Sequence, residues 1–469
     1  MKKVKEEIRI ETGTLTRDDA GIFCLNLKIR NQVSADLDIP ITEIFEEYLD
    51  HSIVLDLFGK RYQGVFSNKK KNQFYLLDDK GSVIIEIYSK LEEKLGKDVR
   101  ILVSKEREDM AKSTHDSQFV LDFSEIEVLS KGIIHHIDLF KQGDTGYHTF
   151  RIPGLLVCPN NIILVFAEAR KNSSSDFGEI HCALRRSEDG GITWEPIQII
   201  WKAGELAVQN PCPVYIPDTG EIILPILVDR KYPHVLKSKD LGKTWSDAIP
   251  LKNLYVKEWA VNGPCPGHSI RLKSGRLIVP CHHNIGESKV DGVFKSRGTW
   301  NSHFIISDDD GGTWERGHIF TAGTNEMMAA EIEDGTIFSI LRQNIENPDP
   351  GQILVSWSKD EGKNSSKPQI SRDLSGPVCQ ASVINIGNDR LMFSNPDSNA
   401  REKMTIRISK DGGKTWPVKK TLYHAKAAYS DLALLENEMI CCAFECGRIR
   451  PVEKISFCIF KQSWITEND

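Results

Sequence analysis

The sequence predicts an all-β chain in two parts. A small β-rich domain spans residues 1–132, and a large domain built by repeating one four-stranded sheet spans residues 133–469. Three observations carry this. An eight-residue pattern recurs at steps of 51, 69, 51 and 51 residues. Each copy follows a β-prone run. All nine tryptophans lie beyond residue 190, so the two parts differ in composition.

The 469 residues are 40% hydrophobic and 27% charged, with a formal net charge of −6. That globular mixture excludes collagen, coiled coil and wholesale disorder. A pI near 6.2 argues against nucleic acid as a partner. No run of about 18 apolar residues occurs, so no membrane span is expected. The opening MKKVKEEIRIETG is followed by no apolar core, so no signal peptide is visible. The eleven cysteines include no CxxC pair and mostly sit in strand-like runs. They read as reduced, buried thiols of a cytoplasmic protein, or of a secreted or periplasmic one whose leader has been removed.

Residues 1–130 hold 20 basic and 25 acidic residues and no tryptophan, and the composition changes near Lys131-Gly132. Strands are expected at Gly21–Ile29, Ser52–Leu57, Gln73–Leu77, Ser82–Tyr88 and Val99–Val103, and a helix at Ser89–Leu95 ended by Gly96. Lys69-Lys70-Lys71 reads as a solvated loop. This part shows no nucleophile, metal cluster or phosphate loop, and oligomer contact or substrate presentation is the role expected of it.

The large domain opens its series with Ser187-Glu-Asp189-Gly-Gly191-Ile-Thr193-Trp194. The pattern recurs from Ser238 to Trp245, from Ser307 to Trp314 and from Ser409 to Trp416, with a worn copy from Ser358 to Ser365. An aspartate here can bond backbone N–H groups of a tight turn, and glycine can take φ > 0. Thr and Trp are expected to start the next strand, the indole filling the gap between sheets. A repeat of about 50 residues fits one four-stranded blade of a β-propeller, and residues 133–466 allow six blades.

Four turns spelled S-x-D-x-G-x-T-W resemble the Asp-boxes of the sialidase (neuraminidase) superfamily, whose fold is a six-bladed propeller. Its catalytic signature is resembled as well. Phe150-Arg151-Ile152-Pro153 is similar to the FRIP motif, which implies that Arg151 is the first of three arginines gripping a substrate carboxylate. Phe166-Ala-Glu168-Ala-Arg170 follows, and Asp176, 25 residues after Arg151, takes the place of the acid/base. Asn325-Glu326 and Leu341-Arg342 resemble the pair supplying the glutamate base and the second arginine. Asn399-Ala-Arg401 resembles the third-arginine segment, and Ala428-Tyr429-Ser430-Asp431-Leu432 that of the nucleophilic tyrosine. Phe444-Glu445-Cys-Gly447 looks like the segment that buttresses the first arginine, with Glu168 and Arg170 in supporting places.

The chemistry needs these residue types. Three guanidinium groups hold a carboxylate through charge-assisted bonds. A carboxylate nucleophile would approach a carbon that already bears a carboxylate. At about 4 Å and a dielectric near 20 that repulsion is about 4 kcal/mol. A neutral phenol avoids it but requires a base. The resemblance implies a retaining exo-α-sialidase acting on terminal sialic acid of glycoconjugates, with no cofactor and no metal.

Asn262-Gly-Pro-Cys-Pro-Gly-His268 and Gly275-Arg-Leu-Ile-Val-Pro280 resemble a strand pair of the family with two residues inserted. Relatives often place tyrosines after that proline, whereas this chain has Cys281-His282-His283. His282, and Asn210 in the Gln209–Pro213 turn, are candidate pocket residues. Cys281-His282-His283 lacks a fourth ligand suitably spaced for a metal. The sequence leaves open another nonulosonic acid (Kdn, pseudaminic or legionaminic), a trans-sialidase, and a non-catalytic lectin. It gives no oligomeric state.

Overall fold

The computed structural model describes residues 133–466, except 291–292, 321–322, 344–350 and 436–437, together with nine strands between Glu7 and Asp122. By its contacts the chain divides into two compact units, Met1–Lys131 and Gly132–Asp469.

The first unit holds one nine-stranded sheet. Its order is Ser34–Ile39, Phe23–Asn31, Glu7–Arg17, Ser52–Leu57, Lys60–Lys70, Gln73–Leu77, Val83–Ser89, Val99–Val103 and Phe119–Asp122. Glu7–Arg17 and Ser52–Leu57 run parallel, and the other neighbours are antiparallel. Lys69 and Lys70 end the strand Lys60–Lys70 rather than lying in a loop, because the register continues through Lys70 opposite Gln73. Of the helix expected at Ser89–Leu95, Ser89 ends the strand Val83–Ser89, and residues 90–95 lie outside the described residues.

The second unit is all-β and propeller-like. Its first sheet is Thr149–Cys158, Ile162–Arg170, Ile180–Ser187 and Gln198–Trp201. The second sheet is centred on Glu221–Val228 and Tyr232–Ser238, the third on Leu277–Val290 and Val293–Ser307, and the fourth on Ile337–Gln343 and Ile353–Ser358. The last sheet has seven strands: His135–Lys141, Lys454–Lys461, Met439–Gly447, Val418–Leu434, Glu402–Ser409, Leu391–Pro396 and Ser382–Asn385. Its long strand Val418–Leu434 pairs with Glu402–Ser409 through residues 418–426 and with Met439–Gly447 through residues 426–434. The first strand of the unit, His135–Lys141, pairs with Lys454–Lys461 near its end, so the two ends of the chain segment are tied in one sheet.

The repeated turns hold this arrangement. In the first, the Asp189 carboxylate accepts from Ser187 Oγ (2.8 Å) and Thr193 N (2.9 Å), while Ser187 Oγ accepts from Gly191 N (2.8 Å). The same bonds recur around Asp240, Asp309 and Asp411. The worn copy keeps them too, with Asn364 donating to Asp360 where the others have threonine. The strand begins directly after the indole at Glu315 and nearly so at Val418. After Trp194 and Trp245 it begins only at Gln198 and Ile249, so the tryptophan is part of the turn there.

Each turn also packs on the preceding sheet. Gly191 has φ +90°, and a Cβ there would stand 2.7 Å from the Phe457 ring of the seven-stranded sheet. Gly242 meets Leu164, Gly311 meets Ile223 and Gly413 meets Phe338 in the same way, and Gly362 approaches Ile278 less closely, at 3.1 Å. Positive φ favours glycine at each of these positions, and at Gly191 and Gly413 the close aromatic ring adds to that preference. Five apolar clusters fill the spaces between consecutive sheets, including the space between the last sheet and the first. Trp194 meets Phe457 edge-on at 4.9 Å, and Trp416 lies 5.6 Å from Phe393, so the indoles do fill the gaps between strands and sheets. The ten cysteines of this unit are buried free thiols. Among the described residues no helix is long and apolar enough to cross a membrane.

Candidate active site

Three strand irregularities turn side chains toward one place. The register shifts between Arg151 and Gly154, between Thr324 and Met327, and between Ala427 and Ser430. Those bulges carry Arg151, Asn325 with Glu326, and Tyr429, which is how a bulge re-aims residues that a regular strand would alternate between faces. Ile152, next to Arg151, has φ +62°, a strained value for a β-branched residue that costs about 1–3 kcal/mol.

Glu445 offsets that strain. Its fully buried carboxylate accepts from Arg151 Nε and Nη2 (both 3.0 Å), from Ile152 N (2.8 Å) and from Tyr429 N (3.2 Å). One side chain from the strand Met439–Gly447 thereby fixes an arginine from the first sheet and the backbone of Tyr429.

Tyr429 lies at the centre. Its hydroxyl donates to Glu326 in a short bond and accepts from Arg342 Nη1 at 2.9 Å. Arg342 is also paired with Glu326. Arg151 and Arg401 stand over the tyrosine ring at 5.2 and 5.3 Å. Arg151 and Arg342 come from strands, whereas Arg401 lies in the bend just before Glu402–Ser409 and is propped by Val378 O at 3.1 Å. Among the described residues Arg401 has no carboxylate partner, and Arg342 Nε is buried with no hydrogen-bond partner. The cluster therefore carries cationic groups that its own carboxylates do not absorb, a setting suited to a bound anion.

The electrostatics assign the proton. Burial pushes the Tyr429 phenol well above its ordinary value, and the Glu326 carboxylate pushes it further, against Arg342 and Arg401. Burial pushes Glu326 up, but Arg342, His282 and the Tyr429 hydrogen bond together hold the carboxyl below the usual range. At neutral pH a neutral phenol thus donates to an ionised carboxylate.

Asp176 sits in the exposed loop after Arg170, with its side chain 62% exposed. It pairs with Arg170 Nη1 at 2.8 Å and stands 3.8 Å from Arg151 Nη1. Although the side chain reaches solvent, the protein around it removes part of its hydration and raises the carboxyl, and Arg170 and then Arg151 together more than offset that and hold it below the ordinary range. Arg170 is itself fully buried and donates to Glu168 Oε2 through Nε (3.0 Å) and Nη2 (2.6 Å). Burial raises the Glu168 carboxyl despite Arg170. Glu168 Oε1 accepts from Asn210 N at 3.1 Å.

Asn210 has φ +53° and sends its amide nitrogen to Pro264 O (2.9 Å) and His282 Nε2 (3.3 Å). His282 Nδ1 bonds Asn325 Oδ1 at 2.7 Å. As assigned, the network makes His282 a neutral imidazole with its proton on Nδ1, and burial lowers its pKa accordingly. All eleven residues singled out in the sequence therefore lie in one connected set of contacts around Tyr429.

The family model described as a BNR repeat-like domain matches residues 162–442. A sialidase of Bacteroides fragilis is 30% identical over 390 residues, covering 73% of this chain and 68% of its own length. Sialidase-3 of Bos taurus is also 30% identical, covering 69% of this chain and 91% of its own length. The chain belongs to the sialidase superfamily of glycoside hydrolases. Among solved structures, the Hadza microbial sialidase Hz136 shares the fold with a TM-score of 0.63 at 24% identity, covering 79% of this chain and 75% of that one. A leech intramolecular trans-sialidase does so with a TM-score of 0.60 at 16% identity, covering 97% and 93%.

Several supports of this sialidase-family site escape sequence reasoning. Asp431 is fully buried and bonds Leu155 N (2.8 Å), Ser382 Oγ (2.8 Å) and His268 Nδ1 (2.7 Å), tying three segments together two residues beyond Tyr429. Gln380 pins the backbone of Ser430 from both sides, at 3.0 and 3.1 Å. Cys379 packs with Ile152, Ala428 and Tyr429. Asp431 is spelled within the Ala428–Leu432 string, which attaches no role to it, and Gln380 and Cys379 give no signal.

Proposed function

We propose that this protein is a retaining exo-α-sialidase that removes terminal α-linked sialic acid from glycoconjugates. The observation that carries the reading is Tyr429, hydrogen-bonded to ionised Glu326 and surrounded by Arg151, Arg342 and Arg401. The three arginines receive the sugar carboxylate. Glu326 takes the phenol proton as Tyr429 Oη attacks the anomeric carbon, and Asp176 gives a proton to the departing glycosidic oxygen. A water then attacks the same carbon, giving its proton to Asp176, while the tyrosyl bond breaks and Glu326 returns the proton to the phenolate. Two displacements at one centre retain configuration, with tyrosine in place of the second carboxylate of most glycosidases.

Asp176 is ionised when paired with Arg170 and Arg151, yet the first step needs its acid form. A substrate carboxylate drawing on Arg151 weakens one of those pairings, which favours protonation once substrate is bound. The fold reading belongs with this. The seven-stranded sheet counts as two four-stranded blades sharing the long strand Val418–Leu434, so that residues 133–469 form a six-bladed propeller after a separate domain over residues 1–132. The test is proton NMR of the sugar released early from a sialoside. The α-anomer appearing first supports the mechanism, and the β-anomer appearing first rules it out.

A further inference from the structure

We propose that Phe177 is the platform on which the leaving sugar, a neutral hexopyranoside, is received. The proposal rests on the sialidase reading above. A general acid must reach the glycosidic oxygen, so the ring attached to that oxygen stands beside Asp176. The loop around Asp176 is polar, Asn172-Ser173-Ser174-Ser175-Asp176, and ends in the one aromatic residue Phe177. Phe177 remains 41% exposed, next to a residue whose position the chemistry fixes. A hexose presents one face of C–H groups, which suits an aromatic face, while its hydroxyls stay in water.

Phe177 is also braced. The Arg230 guanidinium lies 4.5 Å from its ring centroid, a cation–π contact that holds the ring in place. Arg230 reaches it from the connection between the strands Glu221–Val228 and Tyr232–Ser238 of the second sheet. There Asp229 and Arg230 both take positive φ, +50° and +60°, and neither is glycine. Arg230 O accepts from Asn262 N at 3.0 Å, which secures that connection to the third sheet. The loop itself is pinned by Gln209 Nε2 on Asp176 O (3.2 Å) and by Arg170 Nη1 on Ser174 O (2.6 Å). A side chain that only filled space would need none of this, and an exposed phenylalanine on a floppy loop would offer no defined surface.

The experiment compares kcat/KM for 3′-sialyllactose with kcat/KM for methyl α-N-acetylneuraminide, whose leaving group has no ring to stack. The wild-type protein is measured beside Phe177→Ala and Phe177→Trp. The expected result is that the lactoside-to-methyl ratio falls about tenfold in Phe177→Ala and returns to near the wild-type value in Phe177→Trp. A ratio unchanged in Phe177→Ala overturns the proposal, even if both rates fall together, since that marks a loop-positioning role. A wild-type protein that cleaves neither compound removes the sialidase reading first and the platform with it.

Discussion

Replacing Glu445 by glutamine tests how the site is held. The carboxylate is fully buried and accepts four hydrogen bonds, two of them from Arg151, which is 9% exposed. An amide keeps one acceptor oxygen and turns an N–H pair toward another donor. Asp176, at 3.8 Å, is then the only carboxylate that Arg151 faces among the described residues. Breaking one side of a buried ion pair costs about 3–5 kcal/mol. At about 2.1 cal/mol/K per residue, the unfolding entropy of Gly132–Asp469 is about 0.7 kcal/mol per degree, so the melting temperature should fall by about 4–7 °C. Loss of one well-aimed charge-assisted bond to the substrate, about 2 kcal/mol, should lower kcat/KM about 30-fold. The assay pairs thermal denaturation with hydrolysis of a fluorogenic sialoside, for Glu445→Gln and for Arg151→Met/Glu445→Gln. The double variant has no buried unpaired charge, so it should recover part of the stability and none of the activity. A Glu445→Gln protein with wild-type melting and kcat/KM would refute the reasoning, as would a double variant less stable than the single one.

Two further outcomes follow from the same contacts. In Asp176→Asn, kcat on a sialyl-galactoside should fall by about 100-fold or more, while an aryl sialoside with a good leaving group loses far less. The decline of kcat/KM with rising pH, which begins in the acid range because the Asp176 carboxyl is held low, should also disappear. His283 is buried, stacked on Trp259 at 3.7 Å with its Nδ1 3.0 Å from His303 Nδ1, and burial, with His282 and Arg316, lowers its pKa to about 4. An unfolded histidine titrates near 6.5, so the unfolded chain binds more protons between those values. This contribution is complete above about pH 6.5 and is lost as pH falls toward 4, about 3 kcal/mol in all. Denaturant melts at pH 7.5 and 4.5 should show His283→Asn losing about 2 kcal/mol less than the wild type.

What the sequence disclosed depends on how local each feature is. The turn from Ser187 to Trp194 contains within eight residues the aspartate, hydroxyls and glycine that it needs, so its repeats announce the sheets. The joining of the last strands comes from one uninterrupted strand, Val418–Leu434, whose first half pairs with the strand before it and whose second half pairs with the strand after it, and no residue type marks where it changes partner. The candidate residues were legible because Arg151, Glu326, Arg342, Tyr429 and Glu445 sit in recognisable short strings. Their convergence was not, since the strings at 151–154, 324–327 and 427–430 do not tell that each is a bulge re-aiming its side chains toward the others. The pairing of Asp176 with Arg170 was invisible for a further reason: the resemblance gave each its place but not the 2.8 Å contact that holds the acid ionised. Strands such as Glu7–Arg17 and Lys60–Lys70 were missed because charged and polar residues interrupt the β-prone runs.

The central claim is that Tyr429 becomes covalently attached to the sugar. The most direct measurement is incubation with 2,3-difluorosialic acid, in which fluoride leaves readily from C2 while the fluorine at C3 slows the second displacement, followed by digestion and mass spectrometry. The account predicts one added fluorosialosyl group on the peptide containing Ala428-Tyr429-Ser430, located to Tyr429 and absent in Tyr429→Phe. A label on Glu326 or Asp176, or turnover with no adduct and full activity in Tyr429→Phe, would contradict it.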